Sequence, residues 1–264
     1  MKIVNLTHHQ QKSNWVMKVG HKLTVLALLL FSLFCHGSNG NGDFRNESRA
    51  IQGGNVFIEN KGQLADAEGN VLTDVLFKLK LNGLEAYFRK NGVSFVLQQL
   101  IENPSDKNIA ADEFLLADLG VTTQLTIKAQ RIDLAFQNTY AEGTIEGKNQ
   151  SQEYFNYYYS HCPDGITGVK GFEKIVYKNL YEGIDAVFYT KFIDGALRLK
   201  YDLIVQPGAN PDQITYKYIT DELNLALSDQ VIQLETNVSA FSEHLGAIFQ
   251  EIDGEKTDIK GKFA

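Results

Sequence analysis

Two cysteines, six histidines, four prolines and one tryptophan in 264 residues leave little material for staples, metal sites or nucleophile pairs. Basic residues are also short, 25 against 32 acidic ones, for a net charge of −7. No run of Lys and Arg is present to neutralise phosphates, which argues against a nucleic-acid partner. A Gly-x-Ser-x-Gly elbow is absent, and with so few histidines a Ser/His/Asp triad is not expected. Gly53-Gly54 and Gly165-Ile166-Thr167-Gly168 lack both the strand-to-helix setting and the Lys-Ser/Thr ending of a phosphate-cradling loop. The apolar share of 44% and charged share of 22% are nevertheless those of a folded chain rather than a disordered one.

Leu23–Phe34 (LTVLALLLFSLF) is an unbroken run, apolar apart from Thr24 and Ser32, with Lys18 and Lys22 before it and small polar residues after it. That order is the n-region, h-region and cleavage zone of a signal peptide. As a helix it would rise about 18 Å, well short of a hydrocarbon core of roughly 30 Å, so a stable membrane span is not expected. Cys35 and Gly37 meet the small-x-small rule, which places the cut near Gly37 and the signal peptide over residues 1–37. Met17 opens MKVGHK, an n-region of ordinary length, and marks an alternative start. Two readings compete: a buried core helix, and lipidation at Cys35, where Phe34 stands in place of the usual small residue. Loss of residues 1–37 removes four lysines and no acid, taking the charge from −7 to −11. It also removes four histidines and one cysteine. Only His161, His244 and Cys162 remain, so no intramolecular disulfide can form and the fold must stand on its core.

The remainder reads as β structure. Residues 38–54 are polar and Gly/Asn-rich, a flexible leader to a single module over 55–264. Val75, Phe77, Leu79 and Leu81 alternate with Lys78 and Lys80, and Asn82-Gly83 supplies a type I′ turn into Leu84–Arg89. A second Asn91-Gly92 leads into Val93–Leu100, completing a three-stranded meander. Asp185–Phe192 turns at Asp194-Gly195 into Ala196–Val205, whose alternation marks one wet and one buried face. Shorter runs at Leu125–Phe136, Glu153–Tyr159, Phe172–Lys178, Ile214–Ile219, Leu223–Leu227 and Val231–Glu235 are spaced as in a sandwich. Helical character is confined to Ala110–Leu119, one or two turns. The expected fold class is therefore all-β: antiparallel meander or sandwich-like sheets following the signal helix.

Tyr154-Phe155-Asn156-Tyr157-Tyr158-Tyr159 is the one conspicuous local constellation. On a strand, Tyr154 and Tyr158 share one face, while Phe155, Tyr157 and Tyr159 share the other. One face is core; the other offers flat amphipathic rings to a sugar or a protein, or simply covers a sheet edge. Tyr154 and Tyr158 are accordingly the candidate ligand-binding residues. No catalytic or metal-binding residue is assigned. His161-Cys162-Pro163-Asp164-Gly165 reads as a turn. Calcium is the one cofactor to look for, because Asp66–Asn70 is an Asp/Asn/Gly cluster, although without EF-hand spacing. A carboxylate-based glycosidase is a remote alternative.

IENKGQ at 58–63, VLFKLKLNG at 75–83, NYYY at 156–159, VYKNLYEGIDAVFY at 176–189 and LKYDLIVQPGANPDQI at 199–214 occur together. This combination resembles the N-terminal module of large bacterial secreted proteins that carry SBBP-type β-propeller repeats, PKD-like domains and a sorting tail read by the type IX secretion system. The resemblance implies an exported, non-enzymatic extracellular or cell-surface module, adhesive or architectural in role. Its implied partners are other surface-protein domains, glycans or proteins. The chain lacks the repeats, the PKD-like domains, the tail and a Trp that often follows the NYY segment. Because the family pattern continues beyond Ala264, a module truncated at its C-terminus is the expectation.

Overall fold

The computed structural model describes residues 2–5, 26–36, 56–81, 83–103, 124–220, 224–252 and 254–263. β1 (Lys2–Asn5) and β2 (Leu26–His36) precede β3 (Phe57–Glu59), β4 (Val75–Leu81), β5 (Leu84–Arg89) and β6 (Gly92–Asn103). Next come β7 (Gln124–Phe136), β8 (Thr144–Tyr159), β9 (Cys162–Tyr181), β10 (Ile184–Ile193) and β11 (Ala196–Val205). A 3-10 turn at Pro211–Gln213 leads to β12 (Tyr216–Thr220), β13 (Asn224–Leu227), β14 (Val231–Glu235), β15 (Ala240–Ile252) and β16 (Glu255–Asp258). The fold is all-β, and the antiparallel sheet curls into a half-barrel. Its main path runs β1-β12-β7-β6-β5-β4-β3-β9-β10-β11-β2-β15-β14-β13, with β8 on β9 and β16 on β15.

Period-two alternation builds the core. Val75, Phe77 and Leu79 on β4, Leu84, Ala86 and Phe88 on β5, and Val93, Phe95 and Leu97 on β6 all point inward and are buried. Leu199, Tyr201, Leu203 and Val205 do the same from β11. Aromatic rings link these rows. Phe88 meets Phe57 and Phe188 edge-on at 5.3 Å each, and Phe188 stacks on Tyr201 at 5.0 Å. Each such ring contributes about 1.5–3 kcal/mol by burial, and Cys162 is a free thiol.

Turns follow the residues that tolerate positive φ. Asp194 (φ 49°) and Gly195 (φ 75°) form the two-residue loop between Ile193 and Ala196, as type I′ requires. Gly92 has another job. The loop there is Lys90-Asn91, and Gly92 already pairs with Arg89 as the first residue of β6. A Cβ on Gly92 would collide with the Leu134 carbonyl oxygen, so glycine permits a close approach of β6 to β7. The turn expected at His161–Gly165 also lies earlier, at Ser160-His161, because Tyr159 pairs with Cys162.

Of the apolar run and its flank, Leu26–His36 is described, and it is extended. A strand in that place pairs with β11 on one edge and β15 on the other, satisfying ladders that a helix would leave open. An uncharged apolar run suits either conformation, and tertiary pairing decides. Gly37, the leader at 38–54 and the helical turns at Ala110–Leu119 lie outside the described residues.

Candidate functional site

β8 and β9 form the longest hairpin of the molecule. One edge of β9 pairs with β10 between Lys174 and Tyr181 and with β3 at Gly171 and Phe172, and the other edge pairs with β8. Beyond Gly171, toward its turn, β9 pairs with β8 alone. The result is a two-stranded ribbon extending past the sheet. Its base is anchored by Lys170 N–H, which donates to Glu59 Oε1 at 2.9 Å, and by Lys61 Nζ, which donates to the Gly168 carbonyl at 3.3 Å.

Register shifts give the ribbon its shape. Tyr154↔Lys170, Phe155↔Val169, Tyr157↔Ile166 and Tyr159↔Cys162 are successive partners, so the extra residues between Phe155 and Tyr159 all fall on β9. Gly168 (φ 64°) and Gly165 (φ 79°) absorb them. β8 therefore stays regular from Tyr154 to Tyr159, and its side chains alternate. Tyr154 and Tyr158 are 68% and 67% exposed, whereas Phe155 and Tyr157 are half-buried. Phe155 packs near Gly171, and the Tyr158 ring covers Gly165, where a Cβ would collide with it. Tyr157 stacks on Tyr159 at 5.8 Å, and Tyr159 on His161 at 5.6 Å. Partial burial raises the Tyr157 hydroxyl above its ordinary pKa, with Tyr159 adding to the effect. Within this column the His161 Nε2 is buried without a hydrogen-bond partner among the described residues. The hydroxyls of Tyr154 and Tyr158 make no hydrogen bond to any described residue and face outward. The two rings lie about 13 Å apart along the strand, four residues at about 3.3 Å each.

A second tyrosine cluster was not legible from sequence. Glu243 on β15 is wholly buried and accepts hydroxyl hydrogen bonds from Tyr218 (2.6 Å), Tyr216 (3.1 Å) and Tyr201. Tyr216 and Tyr218 come from β12, near one end of the sheet, and Tyr201 from β11, near the other. Burial raises the carboxyl pKa, and the three hydroxyls oppose that rise. All three tyrosine pKa values are pushed well up, first by burial and then by the neighbouring carboxylate. No solute reaches a group with zero exposure, so the cluster ties strands rather than turning over substrate. Phe241, two residues away, extends the tie to Tyr218 at 6.1 Å and to Phe95 at 5.1 Å.

The Asp66–Asn70 cluster is self-satisfied. Asp66 accepts from the backbone N–H groups of Glu68 and Asn70 and from Asn70 Nδ2, which together lower its pKa. Among the described residues, no group of three or more His, Cys, Asp or Glu is placed to hold a metal ion. No helix among them is long and apolar enough to cross a membrane. An open groove beside the β15 irregularity at Leu245/Ile248 is lined by Gln230, Leu245, Ile248, Asp258, Lys260 and Gly261. The ribbon groups three exposed tyrosines, Tyr154, Tyr158 and Tyr159, while Phe192 on β10 and Tyr140 are exposed singly.

Comparison with curated proteins finds no match, and neither does comparison with solved structures. The family model described as a domain of unknown function, DUF7948, matches residues 57–264, and the chain belongs to that family.

Proposed function

We propose that the chain is an exported, non-enzymatic β module that engages a partner at the cell surface or outside the cell through the β8–β9 ribbon. The observation that carries the reading is the outward pair Tyr154 and Tyr158, without a hydroxyl partner among the described residues, on a strand whose opposite face carries the half-buried Phe155 and Tyr157. Large rigid rings contribute contact area at low entropic cost, which is what interaction surfaces use. The apolar leader supports export, since Lys18, Lys22, Leu23–Phe34 and the small residues near Gly37 stand in secretory order.

A carbohydrate partner is the second reading, favoured by the same two rings: each offers a flat face to a sugar and a hydroxyl for its polar rim. The test is binding of the full chain to a panel of surface glycans and extracellular proteins, repeated with Tyr154→Ala/Tyr158→Ala. A saturable ligand lost at least tenfold in the double variant supports the reading. A ligand bound equally by both chains contradicts it. Export is tested separately by N-terminal sequencing of the chain recovered from outside the cell, where a new terminus near residue 38 is expected.

A further inference from the structure

β8 to β11 lie side by side, and on the face turned away from the core they bring cations into register. Lys148, Lys174, Tyr189 and Lys200 are successive cross-strand partners from β8 to β11. In the next row Lys191 of β10 stands opposite Arg198 of β11. Their chain neighbours Ile175, Phe188, Leu199 and Tyr201 are buried, which puts both rows on the outer face. Each strand supplies only one or two of these cations, so the cluster is made by the fold and leaves no basic run in the sequence.

Like charges directly opposite one another destabilise an antiparallel pair, and this face carries two such pairs, Lys148 with Lys174 and Lys191 with Arg198. The adjoining row supplies two acids, Glu146 and Asp202. Glu146 Oε1 lies 2.8 Å from Lys148 Nζ. Asp202 accepts the Tyr189 hydroxyl at 3.0 Å and stands within electrostatic reach of Lys174, Lys191 and Lys200 together. One carboxylate thus serves three ammonium groups and a hydroxyl. Lys191 also opposes the charge of Lys200, and Lys174 Nζ leans over the Tyr189 ring, 5.9 Å from its centroid. In a chain with 32 acidic and 25 basic residues, cations gathered against their own repulsion mark a place where an added anion stabilises the arrangement.

We infer that the outer face of β8–β11 binds a linear acidic polysaccharide, whose carboxylates pair with Lys174, Lys191 and Lys200. This surface is distinct from the tyrosine ribbon, which lies beyond Gly171; only the place where the glycan is met rests on the export proposed above. Shape and charge select the occupant. From Lys148 to Lys200 the row crosses three ladder spacings, about 14 Å, and so presents a line of charge to a polymer with repeated anionic groups. An anionic bilayer fits less well, because the exposed residues of both rows are lysines, with no large apolar side chain among them to insert. Nucleic acid is disfavoured by the net charge of −7. Screening over about 8 Å at physiological salt lets the local lysines act on a bound polymer in spite of that net charge.

The experiment titrates the full chain with a fluorescent, size-defined oligogalacturonate and with its methyl ester, which keeps the sugars and loses the charge. Saturable binding of the first is expected, at least tenfold weaker for the ester and falling as salt is added. Lys174→Gln/Lys191→Gln/Lys200→Gln should weaken binding at least tenfold while its urea unfolding midpoint stays level or rises, since repulsion is removed. Lys128→Gln/Lys260→Gln/Lys262→Gln, which changes three exposed lysines outside these strands and gives the same net charge, should bind within twofold of the parent. Asp202→Asn removes the competing acid and should tighten binding. Four results overturn the inference: no binding by the parent chain, equal binding of the ester, equal loss in both triple variants, or loss in Tyr154→Ala/Tyr158→Ala, which would place the glycan on the ribbon. Phosphatidylglycerol vesicles bound through the same three lysines, with the oligogalacturonate left unbound, would assign the face to a membrane instead. Recovery of the chain only inside the cell would defeat the export reading alone, because binding is measured on purified protein.

Discussion

Two tyrosine clusters share the molecule and differ in what surrounds their hydroxyls. Tyr201, Tyr216 and Tyr218 converge on the wholly buried Glu243, whereas Tyr154 and Tyr158 stand exposed on a two-stranded ribbon with no hydroxyl hydrogen bond among the described residues. A buried hydroxyl must be paired or it costs free energy, so the first cluster commits three strands to one geometry. Exposed rings carry no such obligation and stabilise little. The same residue type thus closes the half-barrel at one place and equips a surface at another.

The comparison breaks most readily at Glu243. Glu243→Ala leaves three buried hydroxyls without their acceptor and opens a cavity, and is expected to destabilise the fold by about 3–5 kcal/mol in urea unfolding. A loss below about 1 kcal/mol would mean that the cluster does not tie the sheet ends together. Replacing Gly165 by Ala strains a φ of 79° and drives a Cβ into the Tyr158 ring. It should cost about 1–3 kcal/mol locally, seen as faster hydrogen exchange along the ribbon with the core unchanged.

The pH dependence of Glu243 is smaller and has a definite sign. Its folded pKa is raised, so the folded chain keeps that proton to higher pH than the unfolded chain does. The associated stability is fully present below the ordinary glutamate value, about 4.5, and is lost as pH rises through the folded value. Glu243→Gln cannot titrate. The stability of the parent chain relative to this variant should fall from about pH 4.5 upward and then level off, as read from unfolding midpoints across pH. A difference that is flat or rises with pH contradicts the assignment.

Much of the fold was legible because core residues alternate with charged ones. β11 (Ala196–Val205) and β14 (Val231–Glu235) begin and end where their alternation does, and Asp194-Gly195 turns as its residue types dictate. β8 and β9 run longer than their apolar stretches suggest, because Thr144–Glu153 and Cys162–Lys170 are polar or glycine-rich ribbon with little core to face. β15 was missed for a sharper reason. Its inward row reads Phe241, Glu243, Leu245, and a buried glutamate looks like an outward residue until the three tyrosines are seen around it. The outward pair Tyr154 and Tyr158 follows from simple alternation; the hydroxyl cluster depends on contacts between strands 25 to 42 residues apart in sequence.

Unfolding of the Tyr154→Ala/Tyr158→Ala double variant tests the central contrast most directly. If the ribbon rings belong to the surface, its unfolding free energy in urea stays within about 0.5 kcal/mol of the parent chain, as for exposed substitutions elsewhere. A loss above about 2 kcal/mol would make them members of the core and contradict the account.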